Sequence, residues 1–172
     1  MGFFMTIPPD LKRSFPPVVD ERVRLLVLGS LPGEESLARA QYYAHPRNQF
    51  WRLMGDVIGR ELVPLDYAAR LEALLQARVG LWDVVASAMR DGSLDGAIRG
   101  HTPNELKALV ESLPELRAVA FNGGTSARIG RKALGTVAGV ELVPLPSSSP
   151  ALTIPYAEKL ERWMALRAYL SA

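Results

Sequence analysis

Leu25-Leu26-Val27-Leu28-Gly29-Ser30-Leu31-Pro32-Gly33 is the stretch that decides how this chain folds. Four consecutive apolar residues with no polar alternation read as a strand buried on both faces, the pattern of a parallel sheet covered by helices. The Gly/Pro turn that follows leaves the strand at its C-terminal end. That is where open α/β sheets place their ligands.

Outward from this strand the pattern alternates. Asn48 to Ile58 predicts a helix with Phe50, Trp51, Met54 and Ile58 on one side. Asp66 is placed to cap a helix whose stripe is Tyr67, Leu71, Leu74 and Leu75. Val79–Val85 reads as a second strand. Thr102-Pro103-Asn104-Glu105 reads as a capping box before a helix carrying Leu106, Leu109, Val110 and Leu113. Ala118–Phe121 is a third strand, with a helix from Gly123-Gly124-Thr125 to Leu134. Val140–Leu145 is a fourth strand, and Tyr156 to Leu170 a closing helix. Strands alternating with helices predict an α/β fold, a three-layer α/β/α arrangement with a central four-stranded parallel sheet. Residues 1–22 contain prolines and lack periodicity, so an N-terminal arm, partly ordered, is expected ahead of a single domain over residues 23–172.

Composition narrows the chemistry. The 172 residues suffice for one domain with a core, and 48% hydrophobic with 22% charged residues is ordinary for a globular chain. No apolar run reaches the ~18 residues of a membrane span, and no cleavage site follows the short apolar start, so a cytoplasmic protein without membrane contact is expected. There is no cysteine, which removes disulfides, thiol catalysis and iron–sulfur clusters. With only two histidines, His45 and His101, neither a metal site nor any cofactor is expected. A net charge of +2 is by itself a weak basic signal, although arginine outnumbers lysine and its planar fork suits phosphate.

Four turns should converge on one rim of the sheet: Gly29–Ser36, Asp83–Arg90, Asn122–Thr125 and Pro144–Pro150. The first has neither Walker nor dinucleotide spacing. Its backbone at Ser30, Leu31, Pro32 and Gly33 either binds an oxyanion or base carbonyl or is simply a tight strand exit. Asp83 ends an otherwise apolar strand, where an ionisable group is costly unless paired. It either accepts a base N–H, caps the next segment or pairs with an arginine. Ser147, Ser148 and Ser149 between prolines either let a phosphate approach closely or form a polar turn. Asn122 is adequately explained as a turn residue. Tyr42-Tyr43-Ala44-His45-Pro46-Arg47-Asn48 gathers aromatic faces, a cation and an amide, groups that suit a planar base on a charged backbone. Phe50 and Trp51 are expected in the core, and one of the two tyrosines at the site.

Taken together, GSLPGEES (29–36), YYAHPRNQFW (42–51), GLWDVVASAMRDGSLDGAIRG (80–100), AVAFNGGTSAR (118–128) and LPSSSPA (145–151) resemble the uracil-DNA glycosylase superfamily, and within it the hypoxanthine-DNA (deoxyinosine) glycosylase branch. The resemblance runs from about Ser14 to the C-terminus. It implies a DNA-binding groove at the strand ends and an enzyme that flips a deaminated base from double-stranded DNA and hydrolyses its glycosidic bond. It implies base contacts from Tyr43, by stacking, and from Asp83, by reading the base edge. Ser147–Ser149 would touch the DNA backbone, with Arg47 beside them. Leu31 and Leu145 stand where many relatives carry a catalytic Asn or Asp and a catalytic His, which implies that Asn48 takes over a catalytic role. No lysine lies in the four turns, so a monofunctional glycosylase is expected. A monomer is the expectation for this superfamily. A mismatch-specific uracil glycosylase and a non-catalytic DNA-binding member of the same fold are the alternatives.

Overall fold

A computed structural model describes residues 11–171; residues 1–10, the first part of the expected arm, lie outside the described residues. In chain order the elements are β1 (Leu11–Arg13), β2 (Leu25–Gly29), α1 (Glu34–Arg39), α2 (Phe50–Ile58), α3 (Tyr67–Gln76), β3 (Val79–Asp83), β4 (Val85–Met89), β5 (Arg99–Pro103), α4 (Leu106–Glu111), β6 (Ala118–Asn122), α5 (Gly124–Leu134), β7 (Glu141–Leu145) and α6 (Tyr156–Met164). Single 3₁₀ turns occupy Asp95–Ala97 and Ala165–Tyr169.

The apolar run Leu25–Leu28 explains the layers. Successive side chains of a strand point to opposite faces. Leu25 and Val27 join one core with Phe50, Met54, Leu74 and Trp163, from α2, α3 and α6. Leu26 and Leu28 join a second core with Val110, Phe121 and Ile129, under α4 and α5. Between the cores lies the expected four-stranded parallel sheet, in the order β3-β2-β6-β7. Its register sets Gly29 opposite Asp83 and Asn122 opposite Leu145, so the turns after all four strands emerge at one rim.

Packing between α5 and β6 is close. A Cβ at Gly130 would run into the Phe121 ring and the Val84 side chain. Overpacking there costs about 1–3 kcal/mol, more than the ~1 kcal/mol that alanine gains over glycine in a helix. Gly130→Ala should therefore lower the melting temperature, measured by thermal denaturation.

Several local expectations are corrected. The strand over Val79–Val85 ends at Asp83, and Asp83–Arg90 is not a turn. After Val84 the chain re-enters extended structure as β4, the middle of a second, antiparallel sheet β1-β4-β5. The capping box does not form, because Thr102 and Pro103 belong to β5 and Glu105 makes no cap bond. The Asn104 amide instead donates to Ser14 Oγ (3.0 Å), Asp83 O (2.8 Å) and Val85 O (3.3 Å), tying the β3–β4 corner to the arm. The expected turn Gly29–Ser36 stops at Gly33, and Glu34–Arg39 is a short helix with two acids in its first turn, the favourable sign there. The closing helix ends at Met164 and passes into 3₁₀. Asp66 does cap α3, accepting from Ala69 N at 2.8 Å. The described part of the arm lies against the rest of the chain. Leu11–Arg13 pairs with β4, Val18 bridges Leu81, and Phe15 O accepts from Trp82 Nε1.

Candidate active site

A cavity of about 640 Å³ opens at the rim where the sheet's strands end. That volume suits a small ligand such as a purine. Ser30, Leu31, Pro32, Gly33, Tyr43, Asn48, Asp83 and Ser147–Ser149 all line it, together with His45, Asp95 and Asn122. Arg47 does not line it; the residue is exposed nearby, and its N–H donates to His45 Nδ1 at 3.1 Å.

The first loop is a cradle with its acceptors occupied. Gly29 O and Ser30 O accept from the N–H groups of Val84 (2.8 Å) and Val85 (3.1 Å). The guanidinium of the fully buried Arg90 donates to Leu31 O and Pro32 O, and its Nε to Gly92 O (2.8 Å). The N–H groups of Ser30, Leu31 and Gly33 donate to no group among the described residues. Ser30 and Leu31 are buried and Gly33 half-buried, and buried backbone donors are rarely left unpaired, so N–H groups without partners beside a cavity point to an acceptor-binding surface. The Leu31 side chain is packed into the second core, so this residue offers the cavity its backbone rather than a catalytic group. Leu145 is likewise core.

The segment after β4 holds the loop from the other side. Ser30 Oγ donates to Asp95 Oδ1 at 2.6 Å, and Glu34 N donates to Ser93 Oγ at 2.9 Å. Sequence reasoning missed Arg90, Ser93 and Asp95. Arg90 closes the expected Asp83–Arg90 turn and the residues after it carry no local pattern, so nothing local says that the segment folds back onto Ser30–Glu34.

Asp83 and Tyr43 meet over Gly29. A Cβ on Gly29 would lie 2.5 Å from Asp83 Oδ1 and 2.9 Å from the Tyr43 hydroxyl, so only glycine leaves room for both. Among the described residues Asp83 neither caps the next segment nor forms an ion pair, and its Oδ2 has no partner; the residue is 4% exposed. Burial, reinforced by the Asp95 carboxylate and partly offset by Arg90, pushes its carboxyl up to about 7. The Tyr43 hydroxyl is also buried, makes no hydrogen bond of good geometry among the described residues, and has the Asn122 side chain beside it. Burial and the neighbouring Asp83 push it well above the usual phenol value, so it stays protonated. Tyr43 has left-handed backbone (φ 54°), a strained conformation for a bulky residue of the kind that collects at functional sites. Its ring stacks on Phe50 at 3.9 Å between centroids. Tyr42 belongs to the core, and its hydroxyl donates to Pro16 O at 3.0 Å.

Asn48 precedes α2 rather than starting it. Its Oδ1 accepts from Phe50 N (3.0 Å) and from Ser148 Oγ (2.8 Å). A backbone N–H can only donate, so the Phe50 contact settles which end of the amide is oxygen. The Asn48 NH₂ is thus the end left for a ligand. Ser148, expected on the DNA backbone, is 1% exposed with its hydroxyl committed inward. Ser147 Oγ accepts from Ser149 N, and Ser149 Oγ from Ala151 N, both at 3.1 Å. From α6, Lys159 reaches this loop and donates to Ser149 O at 3.1 Å.

The arrangement sets backbone donors, a carboxylate and an aromatic ring around one cavity. Comparison with known proteins gives the family. The chain matches the model of the uracil DNA glycosylase superfamily over residues 16–167. It is 46% identical over 115 residues to a hypoxanthine DNA glycosylase of Methanosarcina barkeri, covering 67% of this chain and 73% of that one. It is 43% identical over 141 residues to the hypoxanthine DNA glycosylase of Methanosarcina acetivorans, covering 82% and 88%. The solution NMR structure of a candidate uracil DNA glycosylase from Methanosarcina acetivorans superposes with a TM-score of 0.83 at 39% identity, covering 93% of this chain and 98% of that one. On these grounds the chain belongs to the uracil DNA glycosylase superfamily.

Proposed function

We propose that this protein excises hypoxanthine from deoxyinosine in double-stranded DNA, by hydrolysis, leaving an abasic site. The observation that carries the substrate reading is Asp83, which lines the cavity and whose buried Oδ2 has no partner among the described residues. Hypoxanthine has an N1–H for this oxygen to accept, whereas adenine presents a lone pair at N1. An ionised Asp83 therefore attracts the first base and repels the second. Relatives named hypoxanthine DNA glycosylase support the same substrate.

In the reaction the base is flipped into the cavity and stacks on the Tyr43 face not covered by Phe50. The C1′–N9 bond breaks with its electron pair leaving on the purine. Water supplies hydroxide to C1′ and its other proton to the base. Charge develops on the departing base, so fixed donors aimed at it lower the barrier. The Asn48 NH₂ and the N–H groups of Ser30, Leu31 and Gly33 fill that role. No lysine lines the cavity, so attack by an amine to open the sugar is not part of the scheme. The exposed Arg47 contacts phosphate beside the lesion.

The test is single-turnover excision from duplexes carrying deoxyinosine, deoxyxanthosine or deoxyuridine, read as alkali-labile abasic sites. Fastest release is expected from deoxyinosine. Release of uracil alone would replace this substrate assignment.

A further inference from the structure

Asn48 is useful as a donor only while its amide is held one way round. Rotation by half a turn would present Oδ1 to the departing base and repel it. Phe50 N holds the amide oxygen from one side, and Asn122 with Ser148 supplies the second hold. Ser148 Oγ donates to Asn48 Oδ1 at 2.8 Å. Its direction is itself fixed, because Asn122 Nδ2 donates to the same hydroxyl at 2.9 Å, so the hydroxyl must spend its single proton on Asn48. Asn122 is oriented in turn, since its Oδ1 accepts from Ser148 N at 2.9 Å. Ser148 O then accepts from Gln49 N at 2.9 Å, joining the loop after β7 to the residue next to Asn48. Asn122 and Ser148 are 6% and 1% exposed, so water does not compete for these bonds.

We propose that Asn122 and Ser148 are positioning residues that hold Asn48 with its NH₂ toward the departing base. This rests on the role of Asn48 given above. Each bond runs in a direction set by the one behind it, starting from a backbone N–H that cannot reverse. Gly123 belongs to the device as well. Its φ of 98° carries the chain off β6, and a Cβ there would lie 3.2 Å from Ser147 Cβ, so glycine lets the two loops close on each other.

The test is a double-mutant cycle on the full chain, read as single-turnover release of hypoxanthine. Ser148→Ala should lower the rate about tenfold, as expected for one lost buried hydrogen bond. In an Asn48→Ala background the same change should cost less than about twofold, because a residue acting through another has nothing left to position. Binding to a non-cleavable 2′-fluoro-deoxyinosine duplex should change by less than about twofold. Asn122→Asp is the second variant. It keeps the acceptor for Ser148 N but offers the hydroxyl a carboxylate in place of Asn48, and should also slow release without weakening binding. Equal losses from Ser148→Ala in both backgrounds would overturn the proposal, as would a wild-type rate for both variants. An Asn48→Ala protein with unchanged release would instead overturn the role of Asn48 itself, so the two failures are distinguishable.

Discussion

Asn48→Ala lowers the single-turnover rate of hypoxanthine release by about 10²- to 10³-fold, the usual consequence of deleting one donor aimed at developing charge. Binding of the lesion duplex persists, because the backbone cradle and Tyr43 are untouched. Asn48→Asp is the sharper experiment. A carboxylate still accepts from Phe50 N and Ser148 Oγ, the two bonds that the Asn48 oxygen makes. What it cannot do is donate. It should be as slow as the alanine variant at neutral pH, and slower still if its charge repels the departing base. The opposite result, an aspartate variant as fast as wild type, would mean that this position handles the attacking water through an acceptor oxygen. Rates of the three proteins on one deoxyinosine duplex decide the matter.

Asp83→Asn should reduce kcat/KM for deoxyinosine by about 10²-fold or more, since a site built to accept an N–H then faces it with an amide in a buried place. The pH profile carries more information than the single rate. The Asp83 carboxyl lies near 7, raised first by burial and then by Asp95. Its ionised form is the acceptor for N1–H, so wild-type activity should rise with pH through about 7 and level off above it. Asp83→Asn should lack that limb. Stability should move the other way. The folded-state value lies above the unfolded one, so the unfolded chain ionises first as pH rises from about 4. The folded protein is thus relatively most stable below that point and loses stability up to about 7. Above pH 7 the difference approaches at most ~4 kcal/mol, so Asp83→Asn should melt higher than wild type at pH 8. A variant at once less active and more stable is what a carboxylate held in a costly place for binding predicts. Equal melting temperatures at pH 8 would remove the strain argument.

Much of the framework was readable without coordinates. Leu25–Leu28 and Ala118–Phe121 are short apolar runs between helical patterns, and burial on both faces requires that composition, whereas Val140–Leu145, with Glu141 and Pro144 exposed, is the partly buried edge strand. Phe50, Trp51 and Asp66 did what their spacing says. The second sheet was not readable. Val85–Met89 becomes a strand only because Leu11–Arg13 and Arg99–Pro103 arrive on either side of it, from 72 or more residues upstream and 10 or more downstream. Thr102–Glu105 has the composition of a helix start, but the Asn104 amide finds three oxygens elsewhere in the fold and β5 keeps Thr102 and Pro103. A local preference worth about 1 kcal/mol yields to several such contacts.

By itself the sequence determined the four strands of the parallel sheet, the rim at which they end, and the residue types gathered there, because each depends on periodicity and on glycine and proline chemistry within a few residues. Direction was left to the tertiary structure. Phe50 N, two residues on, and Ser148, 100 residues on, decide that Asn48 offers a donor, while whether Ser148 faces DNA or the interior and whether Asp83 is paired or left waiting for a ligand depend on how the loops after separate strands meet. Hydrogen bonds are directional, and a side chain's free end is known only when its other end has been placed.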